Sequence, residues 1–195
     1  NNWSSVALGE AVSEVQLALT PGGQPRLLLL QRAEMAGGRA DRYVYGECNQ
    51  NCSSRAGWQL ATVITVPNDL SWLWSGDPDN MDAAPRESQA RRTFRLDPNG
   101  RPRFVYYHYN SAVDEQGVGA YYAACDTNCS LANSWSHTRI TALSDWSGTL
   151  EWEILERPVL GFTPDGQPRL LAAMLPLGIL RFPGLYYLAC DSLCD

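Results

Sequence analysis

One stretch recurs three times, and it constrains the fold more than any other feature. The copies are Tyr43-Val44-Tyr45-Gly46-Glu47-Cys48-Asn49-Gln50-Asn51-Cys52, Tyr121-Tyr122-Ala123-Ala124-Cys125-Asp126-Thr127-Asn128-Cys129, and Tyr186-Tyr187-Leu188-Ala189-Cys190-Asp191-Ser192-Leu193-Cys194. Each reads as a β-strand running into a loop bracketed by two cysteines. Extended chain rises about 3.3 Å per residue, so cysteines four apart in a strand would stand about 13 Å apart. A disulfide needs Cα atoms within about 7 Å. The strand must therefore stop at the first cysteine and the chain must fold back. The recurring spacing selects three local bridges, Cys48–Cys52, Cys125–Cys129 and Cys190–Cys194. Zinc is the competing reading, but zinc sites favour shorter cysteine spacings with histidine or further cysteine partners. The two histidines, His108 and His137, do not recur with the cysteines. No metal or other cofactor is expected.

A second shared element stands upstream of each cysteine pair. Thr20-Pro21-Gly22-Gly23-Gln24-Pro25-Arg26, Asp97-Pro98-Asn99-Gly100-Arg101-Pro102-Arg103 and Thr163-Pro164-Asp165-Gly166-Gln167-Pro168-Arg169 each lie between apolar runs. Proline presets the first turn position and glycine accepts positive φ at its end. The second proline opens the next strand, where a missing N–H is tolerated. The glycines are 77 and 66 residues apart and the first cysteines 77 and 65, so two independent markers define one internal repeat. A tryptophan strand follows each complete cysteine loop, from Trp58 and from Trp135, and Trp3-Ser4-Ser5-Val6-Ala7-Leu8 carries the same pattern.

These signals predict four strands per unit and no substantial helix. Unit one, 1–57, holds strands Trp3 to Leu8, Val15 to Thr20, Arg26 to Gln31 and Arg42 to Cys48. Unit two, 58–134, holds Trp58 to Val66, Arg92 to Asp97, Arg103 to His108 and Gly119 to Cys125. Unit three, 135–195, holds Trp135 to Leu143, Pro158 to Thr163, Arg169 to Met174 and Gly184 to Cys190. Insertions Pro67 to Arg91 and Ser144 to Arg157 both contain Trp-Ser-Gly. The chain is thus expected to be one all-β repeat domain.

This order of elements resembles the sialidase-like repeats of extracellular bacterial β-propellers, over nearly the whole sequence. The resemblance implies four-stranded blades arranged about an axis. The Asp-box of sialidases is absent, and Arg26, Arg103 and Arg169 are repeat-equivalent, which suits a structural role. Sialidase activity is not carried over. Propellers close with about four to eight blades, so three units imply a longer propeller, completion by another copy, or an open array. The terminal strand at Trp3, Val6 and Leu8 is expected to complete a sheet, in its own ring or in a neighbouring molecule, which would give dimers, rings or filaments.

Composition narrows the function. With net charge −6 and no lysine among its 15 basic residues, the chain lacks the basic stripe of a nucleic-acid binder. No apolar run reaches the ~18 residues that span a bilayer as a helix. Disulfides point to an oxidising compartment, secreted or cell-surface. Sequons at Asn2, Asn51 and Asn128 agree with that. The acidic loop Gly76 to Asp82 has oxygen ligands suited to calcium but lacks the glutamate spacing of an EF-hand. Glu151, Glu153 and Glu156 offer carboxylates for glycoside hydrolysis, and His108 with Ser111, or His137, a hydrolase sketch without a nucleophile elbow. Trp72, Trp74, Trp146 and Trp152, in or beside the insertions, are suited to stacking on sugars or a protein partner. The sequence reading is a non-enzymatic scaffolding module that self-assembles by strand complementation. The alternative is a carbohydrate-binding propeller using the insertion tryptophans, and after it a glycoside hydrolase fragment.

Overall fold

The computed structural model describes residues 4–35, 38–68, 93–108, 119–142, 153–176 and 184–191. The described residues are all-β. The strands are β1 (Val12–Leu19), β2 (Pro25–Met35), β3 (Gly38–Cys48), β4 (Trp58–Asn68), β5 (Arg95–Leu96), β6 (Pro102–His108), β7 (Gly119–Cys125), β8 (Trp135–Ala142), β9 (Glu153–Phe162), β10 (Pro168–Pro176) and β11 (Gly184–Ala189). They form three antiparallel sheets, β1-β2-β3-β4, β5-β6-β7-β8 and β9-β10-β11. No closed barrel or ring is formed among the described residues.

Turn chemistry sets the first hairpin of each sheet. Gly23, Gly100 and Gly166 take φ of 81°, 77° and 91°, a region that costs a residue with a Cβ dearly. Their amides donate to Thr20, Asp97 and Thr163 carbonyls at 2.8, 2.8 and 2.9 Å. The proline after each turn opens β2, β6 or β10.

The sheets group the strands differently from the sequence units. Each tryptophan strand closes the sheet of the cysteine strand before it: Cys48 stands opposite Trp58, and Cys125 opposite Trp135. A chain that folds back at a short disulfide loop lays its next strand antiparallel to the last one, so the sheet boundary falls after the tryptophan strand. The expected strand at Trp3 to Leu8 is not formed over its described part, since residues 4–9 have no strand pairing. They are held instead by Leu8, which packs on the first sheet. Behind them, Gln31 Nε2 donates to the Glu10 carbonyl and Arg32 N–H to that of Ala11. β9 begins earlier than expected, taking residues 153–157 of the second insertion into the sheet.

The three sheets stack face to face in chain order. Alternation along each strand sends successive side chains to opposite faces. Between the first and second sheets lie Leu28, Tyr43, Tyr45, Val63 and Val66 against Phe94, Phe104, Tyr106, Ala123 and Trp135. Between the second and third lie Val105, Ala120, Tyr122 and Ala124 against Leu160, Leu170 and Ala172. The first interface is aromatic. Trp135 meets Tyr45 and Phe104 edge-on at centroid distances of 5.3 and 5.4 Å, and Tyr43 stacks on Phe104 at 5.6 Å. The Gln16 amide bridges the same interface, donating to Thr93 Oγ1 and accepting from the Phe94 N–H at 2.8 Å.

Candidate functional site

The cysteine loops carry the densest polar geometry. Cys48–Cys52 and Cys125–Cys129 are disulfides, both with Cα atoms 5.7 Å apart. Cys190 is disulfide-bonded as well, while Cys194 lies outside the described residues. Asn51 and Asn128, each just before a second cysteine, take a left-handed φ of 56°, which asparagine tolerates better than most residues. A 3-10 turn follows, Arg55–Gly57 in one loop and Ala132–Ser134 in the other. It delivers the tryptophan so that its indole N–H donates back to the carbonyl of the second cysteine. The distances are 2.9 Å for Trp58 to Cys52 and 3.0 Å for Trp135 to Cys129. This bond accounts for the fixed tryptophan offset.

Three repeat-equivalent arginines clamp the base of the loops. Arg103 Nη1 donates to the Cys125 carbonyl at 2.5 Å and to that of Pro102 at 3.2 Å. Its Nη2 reaches Asp126 at 2.5 Å and Asp97 at 3.3 Å. Arg26 makes the same bonds to Cys48 and Pro25, with Asn49 Oδ1 in place of Asp126. Arg169 repeats them with Cys190, Pro168 and Asp191. The second sheet adds charge. Asp97, fully buried, accepts from the amides of Asn99 and Arg101 on one oxygen and from Arg101 Nε at 2.6 Å on the other. Thr20 and Thr163 hold that place in the other sheets, and their hydroxyls accept from the Gln24 and Gln167 amides. The hydrogen bond from Arg103 holds the Asp126 carboxyl below its ordinary range, against a smaller opposing effect of partial burial. Both carboxylates are engaged by guanidinium groups. Their chemistry is that of a loop anchor.

His137, itself exposed, lies on the same face of β8 as Trp135, its ring edge-on to Tyr106 and its Nδ1 3.1 Å from the Tyr106 hydroxyl. Partial burial lowers its pKa, while burial raises those of Tyr106 and Tyr45.

Of the other residues singled out by sequence, Asn51 and Asn128 are exposed. Leu8 packs near Leu27, Leu29 and Val44, and Val6 is half-buried. Glu153 and Glu156 lie in β9 opposite Pro176 and Ala173, and His108 ends β6 opposite Gly119. Asn2, Trp3, Trp72, Trp74, Trp146, Glu151, Trp152, Ser111 and the acidic loop from Gly76 to Asp82 lie outside the described residues. Among the described residues no cluster of three His, Cys, Asp or Glu side chains is placed to hold a metal ion, and no helix is long and apolar enough to cross a membrane.

One feature escaped sequence reasoning. A cavity of about 320 Å³ opens between the second and third sheets, with Tyr122, Leu160, Leu170, Leu188 and Cys190 in its wall. In the repeat, Tyr122 and Leu170 are the counterparts of Tyr45 and Phe104, the residues that grip Trp135 one interface earlier. Repeat arithmetic on the tyrosines and phenylalanine could have flagged the pair, but not the space between them. Compared with protein-family models, curated proteins and solved structures, the chain matches none.

Proposed function

We propose that this chain is a secreted or surface scaffolding module, without enzymatic activity, that self-assembles by strand complementation at β11. One observation carries the reading: the cavity beside β11 occupies the place that Trp135 fills in the preceding interface. β3 and β7 each pair on both sides, the outer partner being a tryptophan strand. Among the described residues β11 pairs with β10 alone. A strand docking there with its tryptophan opposite Cys190 would drop an indole between Tyr122 and Leu170. The segment Trp3 to Leu8 of a second copy has the right pattern. Stacked sheets joined this way behave as propeller-like blades, closing into a ring or extending as a filament. The disulfides support an oxidising compartment, and the anchoring role of the charged groups supports a structural task.

Sedimentation equilibrium tests the reading. The native chain should show concentration-dependent mass. Trp3→Ala should weaken association by about a hundredfold or more, because truncating a buried tryptophan costs ~3 kcal/mol or more. A free peptide with the sequence Trp135 to Ala142 should compete. A native chain that stays strictly monomeric sinks the proposal.

A further inference from the structure

The repeat also says what kind of surface covers each face of a sheet. The face turned toward the preceding sheet carries Phe94 and Leu96 in the second sheet, Leu160 and Phe162 in the third, and Leu17 and Leu19 in the first. Phe94 and Leu160 are buried and Leu96 and Phe162 packed against the cores, whereas Leu17 and Leu19 are 62% and 60% exposed. Val15, on the same face, is exposed too, while Leu27, Leu29 and Val44 further along that face are covered by Leu8, Trp58 and Leu60, so the open part of the face is its β1 side. The face turned toward the following sheet carries Tyr43 and Tyr45 in the first sheet, Ala120 and Tyr122 in the second, and Leu185 and Tyr187 in the third. The first four are buried; Leu185 and Tyr187 are 73% and 65% exposed, with Leu171 and Val159 beside them.

The two exposed faces are therefore of opposite kinds. One is a following-type face, which elsewhere in the molecule packs on a preceding-type face. The other is a preceding-type face. Exposed apolar patches of this kind mark interaction sites. We propose that the outer face of the third sheet docks on the outer face of the first sheet of a second copy, head to tail, repeating the intramolecular stacking. The occupant is a second copy because the chain itself carries both halves of the contact and already makes it twice internally. A heterologous contact of this kind leaves one face of each kind free at the ends, so it propagates into rings or filaments. The proposal shares its self-association assay with strand complementation but places the contact on side chains of the sheet faces, Leu185 and Tyr187 of β11 among them, and uses neither the open backbone edge of β11 nor Trp3.

The test uses Leu17→Asp and Tyr187→Asp, both at exposed positions that leave the two internal cores untouched, with circular dichroism confirming the fold. Each variant alone should associate about tenfold or more weakly than the native chain. Mixed one to one, they should form a dimer that neither forms alone, because each retains the face the other has lost. Trp3→Ala should not abolish the face contact. Native-like association of both variants overturns the proposal. So does loss in only one of them, which would indicate a face pairing with its own like. If Trp3→Ala abolishes association while Leu17→Asp and Tyr187→Asp leave it intact, strand complementation stands and the face contact falls. The reverse pattern removes strand complementation and keeps the faces.

Discussion

Arg26, Arg103 and Arg169 close the same kind of loop with different partners, and the difference sets what each is worth. Arg103 and Asp97 are both buried, and Arg103 also meets Asp126. Removing one partner of a buried ion pair strands the other charge. Arg103→Met should lower unfolding free energy by about 3 kcal/mol, less than the worst such cases because Arg101 still contacts Asp97. Arg26 faces neutral Asn49 and a partly exposed Glu47 at 3.9 Å, so Arg26→Met should cost about 1 kcal/mol. Equal losses in urea unfolding would contradict this ranking. Asp126 adds a pH dependence. Its folded value lies below the ordinary 3.8, so its stabilisation is present above pH 3.8 and lost as pH falls through the folded value. The carboxylate is half-exposed, which keeps the effect modest. Asp126→Asn should flatten the acid limb of a plot of melting temperature against pH, and an unchanged limb would count against the Arg103 anchor.

At the scale of elements, the cysteine loops are fasteners between the third and fourth strands of a sheet. A loop this small gains about 2 kcal/mol from its bridge on chain-entropy reasoning. Cys125→Ala with Cys129→Ala should lose about that much. It should also shift Trp135 emission, because the indole N–H is tied to the Cys129 carbonyl. Full loss of stability without a change in emission would mean that the disulfide does not position the tryptophan. Strands were legible in the sequence because Pro-x-Gly turns and cysteine pairs punctuate every unit. Their grouping into sheets was not. A repeat read along the chain has no marked origin, and a tryptophan strand can equally open one unit or close the one before. Hydrogen bonding across the cysteine loop decides that, and it is not a property of local pattern. Residues 4–8 show the same limit: alternation alone does not make a strand where nothing among the described residues pairs with it.

At the scale of the whole molecule, the stacking of sheets follows from two-faced alternation, yet which faces remain uncovered emerges only once strands have neighbours. Leu17 and Tyr187 look like core residues in the sequence because their counterparts are core residues. The partner that would bury them is what the molecule itself does not supply among the described residues. Electrostatics gives an independent check on the nature of that contact. Each copy carries net charge −6, so two copies repel at long range, while the outer faces that would meet are dominated by Val15, Leu17, Leu19, Leu171, Leu185 and Tyr187. Added salt screens the repulsion and leaves apolar burial intact. Association should therefore tighten between about 0.05 and 0.5 M sodium chloride, as the screening length shrinks to a few ångströms. Weakening over that range, measured by sedimentation at fixed protein concentration, would point to an ionic interface, most simply one built on the arginine-rich loop ends instead of the apolar faces.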